Sequence, residues 1–380
     1  MTKKILYIAN FVTKGNSSFY KSSIHAAYEL GCDFHIASNF KYLTEEEKQE
    51  YGNKNNVKLH QIDFVRNPIH LANLKAYRQL IKLMRKEQID IVHCNTPVGG
   101  VYGRLAAKKC HIKSIIYQAH GFHFFKGSNP LNWLIFYPIE KLLSYITDLL
   151  ITINKEDYEL ACTRFSAKHT AYVNGVGFDD EVITSRLKDR DRLRKELGFT
   201  DEDVVLLSVG EINANKNHIT ILKAIKTLNN SNVKYFIAGT GNRENLLKEY
   251  SAKNGLEEQV KLLGFRKDIA SLLSSADIFC FPSKREGLSV ALMEAMSAYL
   301  PCVVSDIRGN RDLIDSEQGG YLVAPLDSAA FAEKIKLLVS DKQLRKRMGI
   351  YNFQRISNFS HSRINIEMRK IYSRILDGRK

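Results

Sequence analysis

The chain reads as an α/β protein with two doubly wound, Rossmann-like domains facing a cleft, and three observations predict it. Its 380 residues are enough for two separate cores. Short apolar strand patterns alternate with helical patterns throughout. That rhythm pauses at Asn174-Gly175-Val176-Gly177 and a charged segment over 186–195, then starts again. The divisions expected are a first domain over 1–176, a second over 177–355 and a terminal helical segment over 356–380.

In the first domain, strands are expected over 5–9, 34–38, 57–62, 89–94, 114–119, 149–153 and 170–173. Helices are expected over 18–30, where Gly31 ends the helix, and over 71–87, 100–109, 131–146 and 156–165. In the second domain, strands over 204–209, 235–238, 260–263, 278–281, 302–305 and 321–323 are separated by helices. Strand–helix alternation of this kind gives a parallel sheet covered by helices, with ligands bound outside the carboxyl ends of the strands. From residue 341 onward the pattern is helical and basic.

Composition is ordinary for a globular protein, with 44% hydrophobic residues. The six cysteines contain no C-x-x-C pair and read as reduced core thiols of a cytoplasmic protein. The opening run ILYIAN is too short for a signal-peptide core, and no apolar run has the length to span a bilayer. Net charge is +15 and uneven: +9 over 1–176, −2 over 177–340 and +8 over 341–380. A basic surface attracts nucleic acid, anionic lipid or a phosphorylated substrate. Nucleic acid is disfavoured, because no interleaved aromatic and basic base-reading motif is present.

The most informative stretch is 281–314, FPSKREGLSVALMEAMSAYLPCVVSDIRGNRDLI. It reads as the end of a strand, a loop and a helix over 288–300, whose first open backbone N–H groups belong to Gly287, Leu288 and Ser289. Such groups, with the helix dipole behind them, favour a phosphate. Gly287 allows close approach of a ligand, and Glu286 and Glu294 can address opposite ends of an extended molecule such as a sugar nucleotide. Taken alone, two glutamates at this spacing are more often incidental.

Other strand-end loops add candidates. In VGEINANKN, Lys216 can reach a diphosphate or can be a solvated loop lysine. Gly239 and Gly241 in AGTGN form a tight turn that can also line a ligand, and Arg266 lies in the loop GFRKD. His120, in QAHGFH, closes a strand in the first domain, where a lone histidine is more often structural. In FHFFKGSNPLNWLIFY, Phe124, Phe125 and Lys126 suit an exposed loop touching a membrane interface or a lipid-linked acceptor. The alternative there is a buried helix face containing Trp133, Leu134, Phe136 and Tyr137. No metal-ligand spacing and no Asp-x-Asp element occur.

Phe-Pro-Ser, Glu-Gly-Leu-Ser, Leu-Met-Glu-Ala-Met and Pro-Cys-Val-Val-Ser-Asp together resemble the signature of the family 4 retaining glycosyltransferases, which have the GT-B fold. The resemblance spans nearly the whole chain and is most specific between Gly210 and Ile314. It implies a UDP-sugar donor and a polyprenyl-diphosphate-linked saccharide acceptor, in capsule or exopolysaccharide assembly at the inner face of the plasma membrane, with peripheral contact to anionic lipid. The transferred group would be a hexose or an N-acetylaminosugar, and no metal or other cofactor would be needed. The resemblance assigns Lys216 to the leaving diphosphate, Glu286 to donor-sugar hydroxyls, Glu294 to the ribose and His120 to the donor sugar. It gives Gly239, Gly241 and Arg266 secondary places near the nucleotide. Two departures stand out: Glu211 occupies a position usually held by arginine, and the first loop keeps only Gly15 of two adjacent glycines. Family members also return their last helix to the first domain, which would then collect most of the terminal +8. A UDP-sugar 2-epimerase of the same fold is the alternative enzyme.

Overall fold

The computed structural model describes residues 2–12, 18–67, 70–186 and 190–378. The chain divides into two compact units, Met1–Gly177 with His361–Lys380, and Phe178–Ser360.

The first unit has seven parallel strands, β1 (Lys4–Phe11), β2 (Asp33–Asn39), β3 (Lys58–Gln61), β4 (Ile91–Asn95), β5 (Ser114–Ala119), β6 (Leu149–Thr152) and β7 (His169–Tyr172). Their spatial order is β3-β2-β1-β4-β5-β6-β7. The helices between them are α1 (Ser18–Glu29), α2 (Glu45–Asn55), α3 (Asn73–Glu87), α4 (Pro97–Lys109), α5 (Pro130–Ser144) and α6 (Lys155–Arg164). Successive residues of β1 point to opposite faces and both faces are covered: Leu6 and Ile8 pack with Ala76, Leu80 and Val98, while Ile5 and Tyr7 pack with Ile364, Met368 and Tyr372. The last three belong to the terminal helix, His361–Leu376, so this segment is part of the first unit's core. Its Tyr372 is fully buried, with its hydroxyl 2.8 Å from His93 Nδ1.

The second unit has six parallel strands, β8 (Val204–Val209), β9 (Val233–Ala238), β10 (Val260–Gly264), β11 (Ile278–Phe281), β12 (Cys302–Ser305) and β13 (Gly320–Val323), in the order β10-β9-β8-β11-β12-β13. Its helices are α7 (Asp180–Ser185), α8 (Arg190–Glu196), α9 (Ile219–Leu228), α10 (Glu244–Lys253), α11 (Ile269–Ser275), α12 (Val290–Ser297), α13 (Arg308–Leu313), α14 (Ser328–Ser340) and α15 (Lys342–Ile356). The same alternation divides its core, with Leu206, Ile278 and Cys280 on one face of the sheet and Leu207, Phe279 and Phe281 on the other.

Two features depart from the sequence reading. Helix α2 had no predicted counterpart, because EEEKQEYGNKN is polar all round and buries none of its residues. Its start is set by a capping box: Thr44 accepts from the Glu47 N–H, and the Glu47 carboxylate accepts from the Thr44 N–H. The basic terminal stretch, expected mostly on the first unit, is instead divided. Helix α15 packs on α12 in the second unit, so of the +8 carried by 341–380 only +4 joins the first unit. The units therefore carry +13 and +2.

Both strand orders reverse direction, between β1 and β4 in the first unit and between β8 and β11 in the second. At such a point the loops after adjacent strands run to opposite sides and open a crevice beyond their carboxyl ends.

Candidate functional site

In the second unit, the loops after β8 and β11 meet at the reversal and are tied together by backbone groups. The Lys284 N–H donates to the Asn215 carbonyl (2.8 Å), and Asn215 Nδ2 donates to the Arg285 carbonyl (3.0 Å). Asn217, buried and at φ 57°, donates through Nδ2 to the carbonyls of Pro282 (3.1 Å) and Pro325 (2.8 Å). This lacing places Lys216 Nζ 2.9 Å from Glu286 Oε1 and 4.5 Å from the centroid of the Phe281 ring. Both charged side chains are mostly buried, at 19% and 15% exposure. From the other side, α13 presses on the same loop: a Cβ on Gly309 would lie 2.4 Å from the Gly287 carbonyl oxygen, and buried Arg308 donates through Nε to the Glu286 carbonyl at 3.4 Å.

Helix α12 begins at Val290, two residues later than expected. Ser289 is its N-cap, in extended conformation with its hydroxyl accepting from the Leu292 N–H (3.4 Å). Gly287, Leu288 and Ser289 thus form the approach to the helix, and their N–H groups meet no acceptor among the described residues. Glu294 lies inside α12. Burial, and then the Asp179 carboxylate, push its carboxyl up to about 7. His218 is buried beside this loop and its imidazole is pushed down to about 3, by burial and then by Lys216.

Gly239 and Gly241 have a structural demand of their own. At Gly239, φ is 154° and a Cβ would lie 1.9 Å from the Gly210 carbonyl oxygen; at Gly241 a Cβ would lie 2.3 Å from that of Ile212. Their N–H groups are taken, by the Gly264 carbonyl (2.8 Å) and the Glu244 carboxylate (2.8 Å). Both glycines hold the loop after β9 against the loop after β8. Arg266 is paired with Asp268 through Nε and Nη2, while its neighbour Phe265 is 74% exposed at the end of β10. Glu211 is exposed.

In the first unit, the Nε2–H of His120 donates to Asn95 Oδ1 at 2.9 Å, which fixes the ring against the end of β4. Burial pushes its imidazole down to about 4, so it is neutral at pH 7. Thr96, the residue after Asn95, has φ 64° and ψ 156°, a region open essentially to glycine and costing a side-chain-bearing residue about 1–3 kcal/mol. It is held by Asn10, whose N–H donates to Thr96 Oγ1 (3.1 Å) and whose Oδ1 accepts from that hydroxyl (2.8 Å) and from the Gly99 N–H (2.6 Å). Thr96, Pro97, His120, His123, Phe136 and Ile139 line a mainly apolar cavity of about 420 Å³. A smaller hollow of about 280 Å³ lies between the amino ends of β5–β7 and the terminal helix, at the opposite end of the sheet from the strand-end loops.

The aromatic segment departs from expectation. Phe124 is fully buried, stacked on Phe122 (centroids 5.0 Å) and against Trp133 (5.3 Å), so it is a core residue and not part of an exposed loop. Phe125 is half-buried and Lys126 exposed. The exposed apolar surface of this segment is on α5, where Leu131, Leu134 and Leu142 are 55%, 72% and 68% exposed, and at Tyr145 just beyond it, 64% exposed. The inner side of α5 is anchored by a buried network: Arg104 Nη2 is 2.6 Å from Glu140 Oε2, and the Tyr117 hydroxyl donates to Glu140 Oε1 at 3.1 Å. Gly15 lies outside the described residues.

Asn95, Asn217 and Arg308 went unremarked in the sequence. Arg308 stands inside the 281–314 motif and Asn217 beside Lys216, so proximity was the signal available. Asn95 had only its place at a strand's end.

Two parallel-sheet Rossmann-like units, each with a crevice at its strand-order reversal, are the architecture of the GT-B class. Comparison with known proteins gives the family. Residues 4–154 match the glycosyl transferase 4-like family and residues 189–355 match glycosyl transferases group 1. The chain is 36% identical to a protein of Bacillus subtilis (strain 168) named "Putative glycosyltransferase EpsD", over 99% of this chain and 98% of that one. It is 31% identical to the Escherichia coli UDP-Gal:alpha-D-GlcNAc-diphosphoundecaprenol alpha-1,3-galactosyltransferase, over 73% and 74%. Among solved structures, Anabaena Alr3699/HepE in complex with UDP and glucose aligns over 98% of this chain and 99% of that one, with TM-score 0.78 and 19% identity, a likeness of fold. The chain belongs to the family 4 glycosyltransferases of GT-B fold, and it is an enzyme of sugar transfer.

Proposed function

We propose that this enzyme transfers a hexose or N-acetylaminosugar, with retention, from a UDP-sugar to a saccharide carried on polyprenyl diphosphate, in capsular or extracellular polysaccharide assembly. The observation that carries the reading is the Lys216–Glu286 pair, held at 2.9 Å at the β8/β11 reversal beside the unpaired N–H groups before α12. An ammonium has three donors, so Lys216 can keep Glu286 and still meet a diphosphate. The charge that develops on the leaving diphosphate is met by Lys216 and by the N–H groups of Gly287, Leu288 and Ser289, with no metal required. Glu286 holds donor-sugar hydroxyls, ionised Glu294 holds the ribose hydroxyls, and neutral His120 hydrogen-bonds the donor sugar. The exposed Phe265 ring is suited to stack on the base. Phe265, Lys216 and Glu286 follow β10, β8 and β11, three strand spacings or about 14 Å along one sheet edge, a span that suits base, diphosphate and sugar in order. The acceptor hydroxyl attacks from the leaving-group side and the donor phosphate takes its proton.

The acceptor class is supported by two relatives whose names state it: the Escherichia coli galactosyltransferase, and a Campylobacter jejuni N-acetylgalactosaminyltransferase acting on a diNAcBac-PP-undecaprenol saccharide, 32% identical over 53% of this chain. Among the described residues no helix is long and apolar enough to cross a membrane. The outer face of α5, with Lys126 nearby, is suited to lie on an anionic bilayer where such an acceptor resides. The epimerase alternative finds no support in these relatives, which are named as glycosyltransferases.

The test is a thermal-stability screen of nucleotides and nucleotide sugars, because a ligand selective for the folded state raises its melting temperature. UDP and one or more UDP-sugars are expected to stabilise the protein. Stabilisation by no nucleotide or nucleotide sugar would overturn the donor assignment.

A further inference from the structure

Away from the groups described so far, the carboxyl ends of β1, β2 and β3 bring together residues from three separate segments: Phe11, the neighbours Lys41 and Tyr42, and Arg66. The three strands are neighbours and parallel, so their last residues share one edge. Lys41 Nζ lies 5.4 Å from the Phe11 ring centroid and 4.7 Å from that of Tyr42, and the Arg66 guanidinium lies 5.8 Å from the Phe11 ring. The two rings are 6.0 Å apart and tilted by 54°. Lys41, Tyr42 and Arg66 are exposed and Phe11 is half-buried.

The platform beneath the cluster is built. Buried Asn39 donates through Nδ2 to the Phe64 carbonyl (3.0 Å) and accepts at Oδ1 from the Lys41 N–H (3.1 Å); the Phe40 N–H donates to Gln61 Oε1 (3.0 Å). One side chain thus links the segments that carry Lys41 and Arg66. Among the described residues neither cation meets a carboxylate, in a unit carrying +13.

We propose that Phe11, Lys41, Tyr42 and Arg66 form a binding site for the saccharide–diphosphate part of the acceptor. The inference rests on the reading that the acceptor is a lipid-linked diphosphate. Two cations that each lie within 6 Å of the Phe11 ring centroid, neither meeting a carboxylate among the described residues, offer a diphosphate two partners. Exposed contacts between a cation and a ring are weaker than charge-assisted hydrogen bonds to phosphate, so a bound diphosphate draws Lys41 and Arg66 off the rings. The vacated aromatic faces then meet the apolar C–H face of the attached sugar.

The test uses the full chain and three probes: farnesyl-diphosphate-linked N-acetylglucosamine, farnesyl diphosphate and UDP, with affinities from calorimetry. The Lys41→Gln/Arg66→Gln variant is expected to bind both farnesyl probes at least about tenfold more weakly, with a shallower salt dependence, while its UDP affinity stays within about twofold of wild type. Tyr42→Ala is expected to weaken the sugar-bearing probe and leave farnesyl diphosphate unchanged. The three substituted residues are exposed, and melting temperatures near wild type confirm that the variants fold. Unaltered affinity of the double variant for the farnesyl probes overturns the site, as does wild-type protein that binds UDP but not the sugar-bearing probe. Equal loss of UDP binding reassigns the cations to the donor and also overturns it. Wild-type protein that fails to bind UDP but loses the farnesyl probes in the double variant sinks the donor reading and supports this site.

Discussion

Replacing Lys216 by methionine removes the cation that lies over Phe281 at the β8/β11 reversal while keeping an unbranched apolar stem of similar length. At 2.9 Å and an effective dielectric constant of about 20, the attraction between Lys216 and Glu286 is about 6 kcal/mol before desolvation is charged against it. Most of that gross term is spent in taking both groups out of water, so the pair's net worth to folding is much smaller. The loss on the ligand side is more direct. One charge-assisted hydrogen bond to phosphate is worth about 1.5–3 kcal/mol, so UDP affinity should fall about 10- to 150-fold. The variant also leaves the Glu286 carboxylate uncompensated near the site of the diphosphate. Adding Glu286→Gln to Lys216→Met should therefore recover part of the UDP affinity, even though Glu286→Gln alone impairs turnover of the intact donor. The assay is calorimetric titration of UDP into the four proteins of the cycle. Binding by Lys216→Met within twofold of wild type would refute the phosphate role, and strict additivity would refute the coupling between the two side chains.

Glu294 gives a pH signature. Its folded carboxyl titrates at about 7, well above its unfolded value, so the folded state binds the extra proton and the penalty for ionising grows as pH rises through this window. Ribose hydroxyls favour the ionised form, so UDP-glucose, if it is accepted, should bind more weakly as pH falls below about 7, and Glu294→Gln should abolish that dependence; an unchanged slope in the variant would contradict the assignment. Gly239→Ala should destabilise the second unit by more than about 3 kcal/mol, because its Cβ would fall 1.9 Å from a backbone oxygen at a φ of 154°, and a melting temperature unchanged within 2 °C would show that the loops yield. Leu134→Asp with Leu142→Asp should reduce co-sedimentation with anionic vesicles several-fold at unchanged melting temperature; equal co-sedimentation would exclude α5 as the contact.

Much of the fold was legible because most strands, though not the edge strands β3 (KLHQ) and β7 (HTAY), are apolar runs short enough to be bounded by turn residues. The six strands of the second unit appear close to where the alternation placed them. Helix α2 was not legible, since a helix that buries nothing leaves no periodicity, and only its Thr44–Glu47 capping pair marks it. The site was legible where residues are close in sequence: Glu286, Gly287 and Glu294 belong to one strand–loop–helix segment. The start of α12 was displaced because Ser289 is the better cap, a choice between neighbouring residues that apolar spacing does not register.

The sequence by itself determined the two-domain α/β architecture, the basic balance and the candidate donor residues, because these follow from local pattern and from one contiguous motif. Tertiary structure alone decided which surfaces those patterns bury. It drew Phe124 into a cluster with Phe122 and Trp133 and left Leu134 and Leu142 of α5 in solvent. It assigned α15 to one unit and the terminal helix to the other, paired Lys216 with Glu286 across 70 residues, and gathered Phe11, Lys41, Tyr42 and Arg66 at one edge. The physical reason is that periodicity records that a segment has a face to bury, whereas the partner of that face is set by strand order, which brings residues distant in the chain to neighbouring strand ends.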